Sequence, residues 1–338
     1  MVPEEASGIA LPARVLRARL RWVAEPPSWF AYLPPQLQQP ESHFDARPAV
    51  HGAWPNEVRA AEDGRAGGGQ GAGHEPWWCG RIWGLSRDPR GCWEVQQLLE
   101  SVSAEEERVA IAAELRGHIC EAARCPHANY VLQHCIKVMK PNSVQFMIDE
   151  LTFKGPGAVS QAARHKYGCR IVQRLLEQAS PQQLHGLIEA LIAKGASVSR
   201  HVYGNYVMQH LMEHGTEDQC QRLVKAIETD LRGLSLDPHG CAVVSVALAG
   251  GTLEDRQRLA RSLLRDQGLL PQMAFTRHGH LAVRRSLAVL HDGEWEAAAR
   301  QLRAASVSLG ASRYGRIVLV GLNSAENQNA ARNPHFIR

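Results

Sequence analysis

The string Gly204-Asn205-Tyr206-Val207-Met208-Gln209 recurs, in variant form, throughout the chain from residue 91 onward. It opens with a small residue, continues with two variable and two mostly apolar residues, and often ends in glutamine. Second residues of successive copies lie 37, 40, 36, 36, 39 and 36 positions apart. Intervals this regular are typical of solenoid proteins. The remaining copies begin at Gly91, Ala128, Gly168, Gly240, Gly279 and Gly315.

Each copy of the string continues with apolar residues at helical spacing. After Gly168, which is suited to an N-cap or tight turn, they stand at Ile171, Val172, Leu175 and Leu176. Positions i, i+1, i+4 and i+5 share one face of a helix, so the copy predicts an amphipathic helix. One such helix cannot bury its apolar face alone, whereas stacked neighbours bury a continuous core. The sequence therefore predicts an all-α solenoid of about seven repeats.

Two further helices are predicted in each repeat. A second helix begins behind a serine or threonine followed three residues later by an acid or amide, which is a helix-start signal. A shorter segment, such as residues 197–201, precedes the next copy of the string. Three helices per repeat follow from this pattern. The predicted caps of the second helices are Ser103, Ser180, Thr216 and Thr252.

The composition of the chain changes near residue 80. Residues 1–79 contain ten of the 18 prolines and a glycine-rich run at 67–73. Such a segment is predicted to be largely disordered, apart from a short helix at 13–25; its five tryptophans favour partner docking as the alternative. We predict a repeat domain at 80–325 and a C-terminal tail at 326–338.

Composition also limits the class of protein. The 338 residues are 44% hydrophobic and 21% charged, which is typical of a folded chain, and no apolar stretch approaches 18 residues. Eight scattered cysteines predict free thiols in a reducing compartment. A net charge of +4 permits an anionic partner without requiring one.

The second, third and sixth residues of each string are the candidate functional residues. Second and sixth residues lie at i and i+4 on one helical face, and they are polar, so they cannot belong to the apolar stripe. The third residue is flat or long. A flat side chain between two hydrogen-bonding ones, once per repeat, favours stacking on a nucleic-acid base and reading of its edge. The triplets are Cys92/Trp93/Gln96, Asn129/Tyr130/Gln133, Cys169/Arg170/Gln173 and Asn205/Tyr206/Gln209.

These triplets resemble those of the Pumilio (PUF) family of RNA-binding proteins, over about residues 80–322. The resemblance implies a curved right-handed solenoid that binds RNA antiparallel to its own chain. It also implies that Asn/Tyr/Gln reads uracil and Cys/Arg/Gln reads adenine, so repeats four to one would read 5′-UAUA-3′. Repeat one keeps the adenine-type edge pair, with Trp93 where the family has arginine.

Repeats five to seven depart from the family pattern. Their triplets fit no base code, and no Ser/Glu pair of the guanine-reading type occurs. Arg284 and Arg316 are expected to hold phosphate instead. The triplets are Cys241/Ala242/Ser245, His280/Leu281/Arg284 and Arg316/Ile317/Val320.

Other chemistry is not expected. Histidines at 165, 201, 239 and 278 precede the strings at similar offsets and are interpreted as packing or loop residues, because no nucleophile or paired carboxylate recurs near them. Lys166, Arg200 and Arg277 are solvated charges unless they line the same face. We therefore expect no enzyme, no cofactor and no metal. A cysteine- and histidine-rich cluster matches no zinc module in its spacing: His118, Cys120, Cys125, His127, His134 and Cys135.

The sequence thus predicts a monomer that binds single-stranded RNA selectively. The resemblance implies messenger RNA 3′-untranslated regions as targets, and control of translation or decay through protein effectors in the cytoplasm. Two alternatives stay open. One is a ribosome-assembly RNA binder with low base selectivity, in the nucleolus. The other is a helical-repeat scaffold for proteins, such as HEAT or armadillo repeats form.

Overall fold

The computed structural model describes residues 76–332, with side chains up to residue 324. All regular elements in this range are helices. None of the described helices has the length and apolar character needed to cross a membrane. The predicted helix at 13–25 and nearly all of the predicted disordered segment lie outside the described residues. The last helix extends to Arg332, beyond the predicted end of the repeat domain at residue 325.

The helices form seven repeats, of which six have three helices and the seventh has two within residues 76–332. Repeat one comprises α1 (Ile82–Arg87), α2 (Gly91–Ser101) and α3 (Glu105–Ala113). Repeat two comprises α4 (Ile119–Ala122), α5 (Ala128–Val138) and α6 (Gln145–Phe153), the last preceded by a 3₁₀ turn at Pro141–Val144. Repeat three comprises α7 (Pro156–Ala163), α8 (Gly168–Gln178) and α9 (Pro181–Ala193). Repeat four comprises α10 (Gly195–Ser199), α11 (Gly204–His214) and α12 (Glu217–Glu228). Repeat five comprises α13 (Leu231–Leu236), α14 (Gly240–Gly250) and α15 (Leu253–Arg265). Repeat six comprises α16 (Leu269–Ala274), α17 (Gly279–Leu287) and α18 (Asp292–Ala304), and repeat seven α19 (Ser306–Ala311) and α20 (Arg313–Arg332).

The middle helix of each repeat carries the recurring string. Each middle helix packs on the next in an unbroken row from α2 to α20. The third helices form a second row, in which neighbours pack less extensively on one another. Because the more closely packed row of a curved stack lies on its inner side, the middle helices form the inner face. One apolar core, which includes Leu175 and Val207, runs the length of the stack.

A close approach of two backbones explains why each string opens with a small residue. A Cβ atom on Gly168 would lie 2.6 Å from the carbonyl oxygen of Ala162, and one on Gly204 only 2.4 Å from that of Val198. The predicted role of these glycines as caps was wrong, because each is the first residue of its middle helix. Glycine therefore lets the middle helix pack against the end of the preceding short helix.

Side chains cap the third helices largely as predicted. Ser180 and Thr216 each form a capping box, with Gln183 and Gln219 respectively, and Pro181 occupies the first helical position of α9. The Thr252 hydroxyl likewise accepts a hydrogen bond from the Asp255 N–H. The prediction was wrong for Ser103, because Ala104 is the N-cap of α3 and no side chain caps that helix.

Candidate nucleic-acid interface

The twelve predicted residues of repeats one to four lie at matching places on α2, α5, α8 and α11. Each second residue is the second residue of its helix, and each sixth residue lies one turn further on. Because these four helices pack side by side, the triplets form one file along the inner face. We name this file the triplet row.

The flat or long third residues are the most accessible members of the triplet row. Trp93 is 46% exposed and Tyr130 is 39% exposed, whereas Arg170 and Tyr206 are half-buried. A large aromatic ring left in solvent costs hydrophobic free energy that burial would recover. Exposed rings at a fixed spacing therefore offer surfaces on which planar groups can stack.

Second residues of the triplet row are almost fully buried, which the sequence did not predict. Asn129 is 1% exposed, and Cys169 and Asn205 are each 2% exposed. The Asn129 amide nitrogen donates to the backbone oxygens of Cys125 at 2.8 Å and Pro126 at 3.0 Å. Backbone oxygens only accept hydrogen bonds, so the orientation of this amide is fixed.

The fixed asparagine in turn orients the glutamine one turn later. The Gln133 amide nitrogen donates to the Asn129 side-chain oxygen at 3.0 Å. In repeat four, Asn205 bonds to the backbone oxygens of His201 and Val202, and Gln209 donates to Asn205 at 2.8 Å. Among the described residues nothing donates to the side-chain oxygen of either glutamine, and neither oxygen is sealed from solvent. Each Asn/Gln pair therefore leaves a glutamine oxygen as acceptor, on a half-buried side chain in Gln133 and a 4% exposed one in Gln209.

Repeat three orients its glutamine the opposite way. The Arg170 guanidinium donates through Nη1 to the Gln173 side-chain oxygen at 3.2 Å. Since this oxygen is engaged, the amide N–H groups are the part of the Gln173 side chain left to donate, in a residue that is 4% exposed. Cys169 donates its thiol proton to the Lys166 backbone oxygen, and burial raises the pKa of that thiol to about 11, so it stays neutral at physiological pH.

Repeat one shares the edge pair of repeat three but not its arrangement. Trp93 has no guanidinium to hold the Gln96 oxygen, and the Gln96 amide nitrogen donates to the Cys92 backbone oxygen at 2.9 Å. The same two residue types, cysteine and glutamine, thus present different groups in repeats one and three. The third residue decides which group is open.

Inner-face residues of repeats five and six bond to one another. Arg285 donates through Nη1 to both the backbone and the side-chain oxygen of Ser245, which is buried together with Cys241 and Ala242. The ring of His280 stacks on that of Tyr314 with centroids 4.9 Å apart. Arg285, Ser245 and His280 therefore already form hydrogen bonds or ring stacking within the protein.

Repeat seven presents a different surface again. Ile317 and Val320 are exposed apolar side chains at the third and sixth positions. Arg284 and Arg316, the two predicted phosphate contacts, are both exposed, and Arg316 donates to the Gly310 backbone oxygen at 3.2 Å. Their role toward phosphate stays a prediction.

A basic and aromatic group lies beside the triplet row and includes Lys166, one of the charges whose role depended on lining the same face. The Lys166 ammonium lies 4.4 Å from the ring centroid of Tyr167. Hydrogen bonding to Tyr167 raises the pKa of Lys166, and Tyr203 and Tyr130 are close enough to contribute. Lys166 therefore brings positive charge to the triplet row. Arg200, by contrast, pairs with Asp230.

The histidines at 165 and 201 cap middle helices. The His165 Nδ1 atom accepts from the backbone N–H groups of Tyr167 at 3.3 Å and Gly168 at 3.4 Å. His201 Nδ1 likewise accepts from Tyr203 at 3.2 Å. Burial lowers the pKa of both histidines, which keeps the acceptor nitrogen unprotonated at neutral pH. Other repeats use different residues three positions before the string: Asp88, Cys125, Asp237, Thr276 and Ser312.

The cysteine- and histidine-rich cluster of repeat two serves packing instead. His118 stacks on Trp83 with ring centroids 4.4 Å apart. Cys135 is fully buried, and burial raises its pKa to about 12. Within the described residues, these groups do not converge on a common point as metal ligands do.

Fold and inner face together define an α-helical repeat protein with one triplet of side chains per repeat. A family model described as the Pumilio-family RNA binding repeat matches residues 81–116, 118–152, 159–192 and 196–228. These ranges are repeats one to four. Repeats one to four of this chain are therefore Pumilio-type repeats.

Curated relatives share short regions with this chain. A Pumilio domain-containing protein of Schizosaccharomyces pombe is 28% identical over 108 residues, which are 32% of this chain and 15% of that protein. Pumilio homology domain family member 4 of Saccharomyces cerevisiae is 27% identical over 89 residues, or 26% of this chain and 10% of that protein. The matched region is thus a small part of each relative.

Solved structures resemble the chain over a larger share. PUF-8 in complex with PBE-RNA aligns with a TM-score of 0.64 and 22% identity, covering 72% of this chain and 71% of that one. A Puf4 mutant bound to a Cox17 RNA 3′ UTR recognition sequence aligns with a TM-score of 0.63 and 20% identity, covering 72% and 82%. This likeness confirms the predicted fold, a curved right-handed helical solenoid.

Proposed function

We propose that the triplet row binds single-stranded RNA and reads its bases one repeat at a time. The observation that carries this proposal is the pairing of an exposed or half-exposed flat side chain with an oriented glutamine in repeats two, three and four. Stacking supplies affinity for any base, and the oriented amide supplies selectivity.

The open group of each glutamine supports the predicted bases. Uracil carries one N–H donor between two carbonyl oxygens, and the open side-chain oxygens of Gln133 and Gln209 accept from such a donor. Adenine carries a ring-nitrogen acceptor beside its amino group, and the open N–H groups of Gln173 donate to it. With the antiparallel polarity that the family implies, repeats four to two read 5′-UAU-3′. Repeat one adds the final adenine of 5′-UAUA-3′ with weaker selectivity, because none of the residues at 76–324 donates to the Gln96 side-chain oxygen.

The expected affinity is modest. Stacking contributes about 1–3 kcal/mol per base, and each good edge contact discriminates by about 1–3 kcal/mol. At roughly 3 kcal/mol per repeat for stacking and edge contact together, four repeats supply roughly 12 kcal/mol before the cost of ordering the RNA is subtracted. Since a micromolar dissociation constant corresponds to about 8 kcal/mol, we expect binding in the micromolar range unless repeats five to seven contact the backbone.

The biological role that we propose is control of messenger RNA translation or decay in the cytoplasm, through 3′-untranslated regions and recruited protein effectors. The likeness to Puf4 and Puf3 domains bound to Cox17 RNA 3′ UTR sequences supports this choice of target. Because this proposal assigns the triplet row to RNA, effectors would bind another surface of the chain.

A binding experiment with three outcomes tests the proposal. The chain is titrated with a fluorescent RNA containing 5′-UAUA-3′ and with a scrambled RNA of equal composition, at fixed salt because phosphate contacts depend on it. Preference for 5′-UAUA-3′ is the expected result. Equal affinity for both RNAs favours a binder of low base selectivity, as in ribosome assembly. No binding to either favours a protein scaffold.

A further inference from the structure

Two histidines and a glutamate converge toward the C-terminal end of α11. His210, Glu213 and His214 each place a ligand atom within 4.8 Å of the others. The rings of His210 and His214 lie 4.2 Å apart between centroids.

A carboxylate from the neighbouring repeat lies beside His210 of the cluster. Glu177, near the end of α8, places its Oε1 atom 3.3 Å from Nε2 of His210. Its other oxygen, Oε2, accepts from Arg174 at 3.1 Å. His210 is 1% exposed, whereas Glu213 is exposed and His214 lies between these extremes. The cluster is thus anchored in the core and open to solvent on one side.

A second histidine–glutamate pair, between α5 and α2, shows which residues of the cluster are needed for packing. His134 of α5 and Glu100 of α2 occupy the same helix positions as His210 and Glu177, and their Nε2 and Oε1 atoms lie 3.4 Å apart. Lys137 and Val138 stand where α11 carries Glu213 and His214. A histidine–glutamate bridge between repeats is therefore sufficient for packing. The additional glutamate and histidine of α11 are not needed for it.

The chemistry of the four side chains suits a divalent transition metal. Histidines at i and i+4 project from one helical face, and His-x-x-Glu-His is a spacing that zinc sites on helices use. Zinc prefers four tetrahedral nitrogen or oxygen ligands at about 2.0–2.2 Å, which puts neighbouring ligand atoms about 3.4 Å apart. The ligand atoms of His210, Glu213 and His214 lie within 4.8 Å of one another, so side-chain rotations must bring them closer by about 1.4 Å to reach this spacing.

We propose that His210, His214, Glu213 and Glu177 form a zinc site that joins repeats three and four. The ion enters from the side of Glu213 and is held by α11 with a carboxylate from α8. Because Gln173 and Gln209 lie on the same two helices, a bound ion fixes the relative positions of two adjacent triplets. Zinc binding is tested without RNA, so its outcome does not depend on the proposed function.

Metal titration of the full-length chain under reducing conditions is the first experiment. Zinc alone is added to the metal-stripped protein, and binding is followed by calorimetry and by the thermal unfolding midpoint, which rises when an ion binds only the folded state. One ion per chain is expected. Cobalt(II) substituted for zinc is expected to give the visible bands of tetrahedral nitrogen and oxygen ligation, without the charge-transfer band of a thiolate.

Two variants and two controls locate the site. His214→Ala and Glu213→Gln leave the buried His210 in place, and each is expected to weaken zinc binding by more than the roughly 10- to 100-fold that loss of a second-shell partner costs. His134→Gln, which breaks the matching bridge, and His185→Ala, at an exposed position of α9, are expected to bind zinc like the unmodified chain. Circular dichroism without metal checks that all four fold.

The opposite pattern would overturn the proposal. Zinc binding that is equal in the unmodified chain and in His214→Ala rules the cluster out as the site. A thiolate band in the cobalt spectrum assigns the ion to cysteines instead. A metal-stripped chain that binds no zinc contradicts the proposal outright.

Discussion

Gly204 in repeat four and Gly240 in repeat five approach the preceding helix almost equally closely, yet the residues that follow them have different surroundings. A Cβ on these glycines would lie 2.4 and 2.8 Å from a backbone oxygen. In repeat four an oriented glutamine and a half-exposed tyrosine follow, whereas in repeat five Ala242 is buried and Arg285 holds Ser245. The helical scaffold and the face it presents therefore change independently.

The same contrast separates repeats one to four from repeats five to seven as groups. The family model matches only the first group, up to residue 228, while glycine packing and helix capping continue into the last repeat. The proposed base reading depends on three side chains per repeat, whereas the fold depends on an apolar core that all seven repeats share. The predictions below compare the two groups.

Removal of the stacking side chains is expected to have the largest effect. Tyr130→Ala, Arg170→Ala and Tyr206→Ala combined remove three stacking partners, each worth about 1–3 kcal/mol, so RNA affinity falls by about 100-fold or more. The control is Leu281→Ala with Ile317→Ala, at third positions of repeats six and seven. Fluorescence anisotropy measures both, and equal losses would show that the two groups of repeats do not differ.

Cysteine reactivity compares second residues from the two groups. Burial raises the pKa of Cys169 to about 11 and that of Cys241 to about 12. A rise of two units above the ordinary value lowers the thiolate fraction at pH 8 about 100-fold. Alkylation followed by mass spectrometry is expected to label exposed Cys79 first, then Cys169, then Cys241. Rapid labelling of Cys169 would contradict the burial of this member of the triplet row.

An exchange of the edge residues in repeat three is expected to alter one base preference. Cys169→Ser with Gln173→Glu replaces the amide donor with a carboxylate acceptor, so preference shifts from adenine to guanine at that position alone. The expected change is about tenfold, within the 1–3 kcal/mol of one good edge contact. Competition binding with single-base RNA variants measures it, and a preference that stays with adenine argues against the code.

Acid sensitivity is expected to be the smallest effect. The pKa values of His165 and His201 are lowered in the folded chain, so below about pH 6.5 the unfolded chain binds protons more readily and stability falls. In the double variant His165→Asp with His201→Asp, the new aspartates accept the capping hydrogen bonds, as Asp88 and Asp237 do in repeats one and five. The unmodified chain is expected to lose a few °C more of its unfolding midpoint between pH 7 and pH 5.5 than this variant. Equal losses would exclude the two histidines as the cause.

The sequence predicted the repeat length and the helices because glycine, the apolar stripe and the capping boxes recur as the same residue types at matching positions. Ser180 and Thr216 are examples in which the motif and the observed hydrogen bonds agree. The cap of the middle helix could not be found in the same way. Aspartate, cysteine, histidine, threonine and serine all fill that position, so only the shared hydrogen-bond geometry reveals it.

The triplets show a second limit of sequence reasoning. Their spacing predicts that Asn129 and Gln133 share a face, and the structure agrees. Which of the two faces solvent depends on the backbone oxygens of Cys125 and Pro126, which take up the asparagine amide. Residue spacing does not record such a contact, so the division between an orienting residue and a reading residue became clear only from the structure.

An unbiased selection of RNA sequences bound by the full-length chain tests the central claim most directly. The account predicts enrichment of contiguous 5′-UAU-3′, with a weaker adenine after it, and loss of the first uracil preference alone in Asn205→Ala with Gln209→Ala. Enrichment of an unrelated sequence, of structured RNA, or of no sequence at all would contradict the claim that the triplets read successive bases.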